Sequence, residues 1–402
     1  MLIVKKFGGS SVANKERIYN VARRCIEDYQ KGHSVVVVLS AMGDTTDELL
    51  ALAKDINPDA TKREMDMLLT TGEQVSVSLM AMAMHAMNVP AVSLNGFQVQ
   101  MHCTSRYGNA RFKQIDTERI NHELDARKIV IVTGFQGINK YDDYVTLGRG
   151  GSDTTAVALA AALDADKCEI YTDVDGVFTA DPRVVPNARK LDAITYDEML
   201  ELATSGAKVL HNRSVEMAKK YGVEMVVRSS LNETEGTIVR EVVKMEKMLI
   251  TGVAADKNTA RISVIGLEDK PGIAFKVFHR LAKNNINIDI ILQSVGREGT
   301  KDISFTVAQD DLKDALAVLD DNKEALGIQE ITHNESVAKV AIVGAGMMSN
   351  PGVASKMFEA LANNRININM ISTSEIRITV LIDEKDVDKA VSAIHEKFAL
   401  GE

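Results

Sequence analysis

The last third of the chain contains an internal repeat, and this repeat restricts the possible folds more than any other feature. A shift of 80 residues aligns PGIAFKVF at 271–278 with PGVASKMF at 351–358. In each copy an apolar run, predicted to be a strand, leads through the Pro-Gly turn into an amphipathic helix and then a second strand. The first copy ends with a strand pattern at 328–332, which completes the β-α-β-β-α-β order of a ferredoxin-like domain.

The second copy lacks the final strand of this plan. Its last helical pattern ends near Leu400, and no further strand pattern follows. An unassigned apolar run at 249–254, just before the first copy, has the composition of the missing strand. The sequence therefore predicts that the first copy is inserted within the second, whose sheet is completed by 249–254.

The chain up to about residue 243 alternates short β-branched runs with longer helical patterns. Runs such as VVVVL at 35–39 and IVIV at 129–132 are apolar throughout, as in strands buried on both faces of a parallel sheet. The helical patterns between the strands lie at 14–31, 64–87, 154–163 and 197–221. We therefore predict an αβα sandwich around a mostly parallel sheet, with ligands bound at the carboxyl ends of the strands.

Two glycine pairs in this part of the chain are suited to binding anions. KFGGSS at 6–11 follows the first strand, and RGGSDTT at 149–155 opens a helix. Backbone N–H groups at a helix N-terminus carry partial positive charge, and glycines let a phosphate or carboxylate approach closely. A single pair of this kind is more often a tight turn, but two pairs beside cations predict two anionic ligands held together.

Composition excludes several classes of function. A net charge of −9 argues against a nucleic-acid-binding protein, which needs clustered Lys and Arg. The sequence contains no run of about 18 apolar residues, the length needed to span a membrane. Its first residues do not resemble an export signal. Cys25, Cys103 and Cys168 are too far apart for a zinc or disulfide motif. We expect a cytoplasmic protein with neither nucleic acid nor membrane as partner, and with no metal site built from its own side chains.

Six motifs occur in the order typical of a known family. They are KFGGSSV at 6–12, SAMG at 40–43, TGE at 71–73, GRGGSD at 148–153, TDVDGVFTADPR at 172–183 and GAKVLH at 206–211. Over essentially its whole length the chain resembles the monofunctional aspartate kinases (aspartokinases), of the amino-acid kinase family with two C-terminal ACT domains. The resemblance implies a catalytic domain at 1–244, an inserted ACT domain at 260–334, and a second ACT domain formed by 248–256 and 336–402.

The reaction implied by this resemblance transfers the γ-phosphoryl group of ATP to the β-carboxylate of L-aspartate. The products would be 4-phospho-L-aspartate and ADP, in the first step of lysine, threonine and methionine biosynthesis. A carboxylate is already ionised at neutral pH, so the acceptor needs no general base. Catalysis then consists of holding two anions in line and neutralising the transferring group. Lys6 is the predicted neutralising cation, and Asp153 would orient Lys6 or a metal-bound water.

The resemblance also implies the ligand contacts. Arg149 would bind the α-carboxylate of aspartate and Glu73 its α-ammonium, while Ser40, Thr46 and Ser152 would hold the other oxygens. The nucleotide side is assigned to Lys6, Phe7, Gly8, Gly9, Ser10, Thr172, Asp173, Phe178, Asp181, Arg183 and Lys208. Mg²⁺ is implied together with ATP, and in the absence of a dense carboxylate cluster we expect phosphates and waters to coordinate it.

The ACT pair implies feedback regulation by lysine, threonine or both. Asp269 would take the ammonium of the effector, and the amides after Gly272 its carboxylate. The other effector positions are Ala274, Asn287, Asp289 and Gln293 in the first repeat, and Val353, Ala354, Asn367, Ile368, Ser374 and Glu375 in the second. ACT domains commonly pair side by side, so we expect a homodimer or tetramer. An internal start near Met245 or Met248 would add a separate ACT-only subunit.

Three alternatives remain open at this level. A kinase for glutamate, acetylglutamate or a nucleoside monophosphate would share the first glycine pair, although Glu73, Arg149 and the ACT repeats disfavour it. A non-catalytic amino-acid sensor would use the ACT repeats alone. The repeats could also serve dimerisation without binding any effector.

Overall fold

The structure, a computed structural model, describes residues 1–207, 209–241, 249–295, 299–347 and 350–401. By packing, the chain divides into two units. The first contains Met1–Val177, Lys190–Ala203 and Lys208–Met245, and the second contains Phe178–Arg189, Thr204–Ala207 and Glu246–Glu402. Among the described residues, no helix combines the length and the apolar character that crossing a membrane requires.

The first unit is built on two sheets. Its described strands are β1 Leu2–Phe7, β2 Ser34–Leu39, β3 Ala91–Leu94, β4 Met101–Cys103, β5 Phe112–Ile115, β6 Ile129–Thr133, β7 Gln136–Ile138, β8 Tyr144–Thr146, β9 Lys167–Thr172, β10 Ala193–Thr195, β11 Met225–Ser229 and β12 Thr237–Arg240. The larger sheet has the order β10-β12-β11-β9-β1-β2-β6-β3, and only its β11–β12 pair is antiparallel. The smaller has the order β5-β4-β7-β8. A mostly parallel sheet was expected from the apolar strand runs, and this expectation is confirmed.

Helices cover both faces of the larger sheet. They are α1 Lys15–Gln30, α2 Thr45–Ile56, α3 Lys62–Leu69, α4 Thr71–Ala86, α5 Glu118–Asp125, α6 Gly151–Ala162, α7 Tyr196–Thr204 and α8 Asn212–Tyr221. Val35, Val37 and Leu39 of β2 pack on one side with residues of α1 and α4. Val36 and Val38 point to the opposite face of the sheet and are also fully buried. Helix α6 contacts strands β1, β2 and β9 of this sheet. Because alternate residues of a strand face opposite sides, this double burial explains the unbroken valine run.

Two of the predicted helices are each divided in the structure. The pattern at 64–87 is interrupted at Thr70, where α3 ends and α4 begins. Gly72, in the first turn of α4, lies so close to Ala41 that a Cβ would approach the Ala41 side chain to 2.8 Å. The pattern at 197–221 is divided into α7 and α8, since His211 caps the N-terminus of α8 with its ring nitrogen.

The second unit contains one antiparallel sheet of six strands. Its described elements are β13 Gly252–Glu268, α9 Ile273–Lys283, β14 Ile291–Val295, β15 Thr300–Val307, α10 Leu312–Asp321, α11 Lys323–Leu326, β16 Glu330–Val343, α12 Val353–Asn363, β17 Met370–Thr373, β18 Arg377–Asp383 and α13 Val387–Lys397. The strand order is β14-β15-β13-β16-β18-β17. Apolar faces of α9 and α10 form one core with the first half of this sheet, and α12 and α13 form another with the second half.

The two repeats are joined through β13 and β16, each of which belongs to both. Residues 252–256 of β13 pair with 339–343 of β16, and residues 261–265 pair with 330–334. Register shifts around Thr259 separate the two pairings. The run upstream of the first copy thus pairs with the second copy, which is the pairing predicted from the repeat. The sharing of one continuous sheet was not predicted, because it depends on a single strand passing straight from one repeat to the other.

The segment Phe178–Arg189 packs with the second unit rather than with the larger sheet of the first. Ala180 and Val185 are buried in the core of the second repeat. Thr179 accepts a hydrogen bond from the Val253 N–H at 2.8 Å, and its hydroxyl lies 2.9 Å from Nε2 of His395. By packing, the predicted range 1–244 is therefore interrupted by this segment, because its apolar side chains are buried against β13 and α13. The predicted domain boundaries at 244 and 248 lie outside the described residues.

Candidate active site

One cavity of about 850 Å³ opens in the first unit, where β1, β2 and β8 end and α6 begins. Both predicted catalytic residues line it, Lys6 and Asp153. All five predicted substrate-binding residues line it too, namely Ser40, Thr46, Glu73, Arg149 and Ser152. Gly8 and Gly9 of the first glycine pair complete this set. The fold thus brings together groups that are as much as 147 residues apart in the sequence.

Lys6 and Asp153 form an ion pair at the edge of the cavity. Lys6 lies near the end of β1 and Asp153 in the first turn of α6, with 2.6 Å between Nζ and Oδ1. The two side chains are only 13% and 12% exposed, so their charges are weakly screened by water. A cation held in this way can meet an anionic ligand without reorganising.

The two glycine pairs allow three loops to lie close together at the cavity. A Cβ on Gly9 would come within 2.6 Å of the Ala41 carbonyl oxygen, so only glycine allows the first loop to lie against the loop after β2. Gly150 has a φ of +67°, and a Cβ there would overlap the ring of His211. Ser40 Oγ donates a hydrogen bond to Ser152 Oγ at 3.0 Å. This places Ser40 and the N-terminal turn of α6 on the same side of the cavity.

Glu73 is a buried carboxylate with one oxygen unused. Its side chain lies in the first turn of α4, and Oε1 accepts a hydrogen bond from the Ala41 N–H at 3.1 Å. No donor from the described residues reaches Oε2, although that atom is shielded from solvent. Burial raises the pKa of Glu73 to about 7. The unused oxygen is suited to accept a hydrogen bond from a cationic ligand group.

The cavity also contains charged residues that the sequence did not reveal. Lys62 and Arg106 add positive charge to its wall, and Asp66 adds a carboxylate that is only 1% exposed. A signal for Asp66 was present, because it lies three residues before the buried Leu69 and so on the apolar face of α3. Arg106 lies three residues after β4 and beside no glycine pair, and only the tertiary structure places it in this cavity.

Several predicted nucleotide residues lie away from this cavity. The Phe7 ring is fully buried and stacks on Tyr171 with 4.4 Å between ring centres, so only its backbone is available to a ligand. Ser10 is exposed, and its carbonyl oxygen accepts a hydrogen bond from Arg17. Thr172 and Asp173 follow β9, where the hydroxyl of Thr172 donates to the Asp173 carboxylate at 3.0 Å. The cavity lining includes none of these four described side chains.

The remaining nucleotide predictions fall outside the first unit or outside the described residues. Phe178, Asp181 and Arg183 belong to the segment that packs with the second unit. Asp181 and Arg183 form an exposed ion pair with each other at 2.6 Å. Lys208 lies outside the described residues. For these residues the nucleotide role stays a prediction.

A buried charge network supports β1 behind Lys6. Lys5 is 1% exposed and contacts Asp28 at 2.5 Å and Glu169 at 3.1 Å. Burial acts to raise the pKa of Glu169, but Lys5 and Lys167 outweigh it and lower that pKa to about 2. Since both signs of charge are present, the network remains ionised at neutral pH.

The predicted effector residues lie in the second unit, and some already have partners. Asp269 pairs with Lys301 at 2.7 Å, and Asp289 pairs with Lys339 at 2.6 Å. Gly272 adopts a φ of +89° just before α9, at the position expected for an uncapped helix N-terminus. Val353 is buried in the apolar core, so its side chain is not available to an effector. The other positions are exposed or half-buried: Ala274, Asn287, Gln293, Ala354, Asn367, Ile368, Ser374 and Glu375.

Side chains able to hold a metal ion do not cluster in the part of the chain that the structure describes. No group of three or more His, Cys, Asp or Glu side chains has the required arrangement there. Asp153, the acidic group nearest Lys6, is already paired with that lysine. A protein-built cage for Mg²⁺ therefore does not fit the described residues.

Comparison with known proteins agrees with this architecture. Residues 1–229 match the model of the amino acid kinase family, and residues 262–322 and 340–398 match the ACT domain model. The chain is 54% identical to the aspartokinase of Bacillus sp. strain MGA3 over 400 residues, which cover 99% of this chain and 97% of the relative.

Two solved structures of E. coli aspartokinase III cover 99% of both chains at 27% identity. The complex with aspartate and ADP, in the R-state, gives a TM-score of 0.86, and the complex with lysine and aspartate, in the T-state, gives 0.76. The chain therefore belongs to the aspartokinase family, kinases in which an amino acid kinase domain is joined to ACT domains.

Proposed function

We propose that this kinase transfers the γ-phosphoryl group of ATP to the β-carboxylate of L-aspartate, releasing 4-phospho-L-aspartate and ADP. The observation that carries the proposal is the presence of Lys6, Arg149 and the unused oxygen of Glu73 in one cavity. Aspartate carries two carboxylates and one ammonium at neutral pH. Arg149 and Glu73 supply opposite charges for the α-carboxylate and the α-ammonium, which leaves the β-carboxylate as the nucleophile and Lys6 for the phosphoryl group.

In this mechanism the residues act by position and charge rather than by removing a proton. Arg149 binds the α-carboxylate through its planar fork, and Glu73 accepts from the α-ammonium. Ser40, Thr46 and Ser152 hold the remaining oxygens. The β-carboxylate is already a nucleophile, so alignment with the γ-phosphorus is the main requirement. Lys6, held by Asp153, neutralises charge that develops on the transferring group.

The nucleotide is proposed to bind beside Gly8 and Gly9, whose backbone N–H groups are suited to phosphate. The E. coli relative solved with ADP supports a nucleotide in this family. Mg²⁺ would neutralise phosphate charge when it arrives with ATP. Because the described residues offer no cage of side chains, phosphate oxygens and waters would supply its ligands.

The second unit is proposed to regulate the reaction. The E. coli relative was solved with lysine in its T-state, which supports an amino-acid effector here. Lysine, threonine or both would act through the ACT repeats, as expected for an enzyme at the start of the pathway to lysine, threonine and methionine. A homo-oligomer formed through these repeats is part of the same proposal.

An ADP-release assay with different phosphoryl acceptors tests the proposed reaction. L-aspartate should give turnover, whereas L-glutamate, N-acetylglutamate and a nucleoside monophosphate should not. Each acceptor is then assayed with lysine and threonine, singly and together. Turnover with glutamate in place of aspartate would identify a different amino-acid kinase, and no turnover with any acceptor would favour a sensor.

A further inference from the structure

Two loops carry arginines to one side of the cavity. The 104–111 loop joins β4 to β5 and contains Arg106, and the 146–150 loop joins β8 to α6 and contains Arg149. The loops touch through their backbones, since the Ala110 N–H donates to the Thr146 carbonyl at 2.9 Å. Two side chains, Asp66 and Arg213, also form hydrogen bonds to both loops.

Asp66 joins the two loops from the side of α3. Its Oδ2 accepts from the N–H groups of Gly108 and Thr146, each at 2.9 Å. Its Oδ1 accepts from the Thr146 hydroxyl at 2.7 Å. Hydrogen bonds to an ionised acceptor are stronger than those between neutral groups. A single buried carboxylate therefore fixes both loops.

Arg213 joins the same two loops from the side of α8, with the opposite polarity. One guanidinium nitrogen donates to the Leu147 carbonyl at 2.9 Å and another to the Ala110 carbonyl at 2.6 Å. Asp66 thus binds the N–H groups of the loops, and the half-buried Arg213 binds their C=O groups. The planar fork of an arginine is suited to two acceptors in this arrangement.

The 146–150 loop needs such support because of its sequence. Gly148 and Gly150 both adopt positive φ, at +79° and +67°. Glycine loses more conformational freedom on ordering than any other residue, so a free loop of this composition would have to be ordered when the ligand binds. Holding it in advance removes that cost from the binding step.

We propose that Asp66 and Arg213 are positioning residues that set the place of Arg149 for the carboxylate of the amino-acid substrate. The inference rests on the proposed function, in which Arg149 binds that carboxylate. Neither residue reacts, and both act through the backbone of the 146–150 loop. Their loss should weaken amino-acid binding specifically, beyond any loss of stability.

Asp66→Asn tests the inference, because it keeps the shape of the side chain and turns one acceptor into a donor that faces N–H groups. We expect the KM for aspartate to rise about tenfold to a hundredfold, with the KM for ATP unchanged. Arg213→Lys should have an effect in the same direction, since lysine lacks the planar fork with which Arg213 reaches the two carbonyls. Thr146→Val removes a single hydroxyl donor and should cause a smaller rise, which keeps the test available if Asp66→Asn folds poorly.

The decisive measurement is a double-mutant cycle with Arg149→Ala. If Asp66 acts through Arg149, then Asp66→Asn should change the KM for aspartate by less than about twofold once Arg149 is absent. Glu123→Gln is the matched control, because Glu123 is a buried carboxylate paired with Arg119 and Lys128 outside the cavity. It should lower stability and leave both KM values unchanged.

Three outcomes would overturn the inference. They are an unchanged KM in an active, folded Asp66→Asn variant, equal changes in the KM for both substrates, and effects of Asp66→Asn and Arg149→Ala that simply multiply. Lack of aspartate-dependent ADP release by the unaltered chain would instead reject the proposed reaction and the inference with it.

Discussion

Replacing Glu73 by Gln should weaken aspartate binding while removing a cost to the folded state. The amide keeps the shape of the side chain and can still accept from the Ala41 N–H. It removes the negative charge from the oxygen that no described donor reaches. Loss of a charge-assisted hydrogen bond of roughly 1.5–3 kcal/mol corresponds to an increase of about tenfold to 150-fold in the KM for aspartate. The KM for ATP should not change.

The pH dependence of aspartate binding follows from the same carboxyl. With a pKa of about 7, Glu73 is mostly ionised at pH 8 and mostly protonated at pH 6. Only the ionised form attracts the substrate ammonium, so the KM for aspartate should rise about tenfold between pH 8 and pH 6. Burial lowers the pKa of His211 below its ordinary value of 6.5, which moves the protonation of that ring away from this pH range. The Glu73→Gln variant should lack the dependence.

The ionisation of Glu73 that favours aspartate binding should lower the free energy of unfolding. The pKa of Glu73 is about 7 in the folded chain, above its ordinary value of 4.5. Ionisation of Glu73 therefore costs the folded chain no stability below pH 4.5, and this cost grows as the pH rises through 7. The cost is about 2 kcal/mol at pH 6 and about 3 kcal/mol at pH 8. From pH 8 to pH 6 the unaltered chain should therefore gain about 1 kcal/mol relative to Glu73→Gln.

Urea denaturation at the two pH values, followed by circular dichroism, measures this difference, and initial rates measure the KM. Glu123→Gln is the control, since hydrogen bonding to Lys128 lowers the pKa of Glu123 and keeps it ionised at both pH values. An unchanged KM for aspartate in Glu73→Gln, or the same pH dependence as the unaltered chain, would refute the assignment of Glu73 to the substrate ammonium.

Three further variants test other parts of the site. Lys6→Ala should lower kcat by at least about tenfold to 150-fold with the fold intact, because a contact of roughly 1.5–3 kcal/mol or more to the transferring group is lost; a retained kcat would remove Lys6 from the mechanism. Arg149→Ala should raise the KM for aspartate far more than that for ATP, and equal effects would mean that the guanidinium does not bind the substrate carboxylate. Lys5→Ala should lower the free energy of unfolding by about 3–5 kcal/mol, because it leaves Glu169 buried beside fewer cations. Thermal unfolding of Lys5→Ala and Lys6→Ala side by side would separate stability from catalysis, and a Lys5→Ala variant as stable as the unaltered chain would contradict the role given to the buried network.

The sequence alone determined the fold class and much of the cavity, because residues close together in the chain signal these features. Lys6 and its glycine pair end a strand, and Gly150 to Asp153 open a helix, so each signal lies within a few residues. In a parallel sheet the carboxyl ends of neighbouring strands share one edge, and this rule brings such signals together. The 80-residue repeat likewise predicted that the run at 249–254 completes the second copy, and residues 252–256 do pair with 339–343 of that copy.

The tertiary structure decided what depends on partners far apart in the chain. Asp66 and Arg213 contact backbone groups of residues 108, 110, 146 and 147, and no local pattern shows which N–H or C=O a distant side chain will meet. The packing of Phe178–Arg189 with the second unit was hidden for the same reason, because Ala180 and Val185 could be buried against either core. Periodicity shows that a side chain is buried, whereas the complementary surface that buries it exists only in the folded chain.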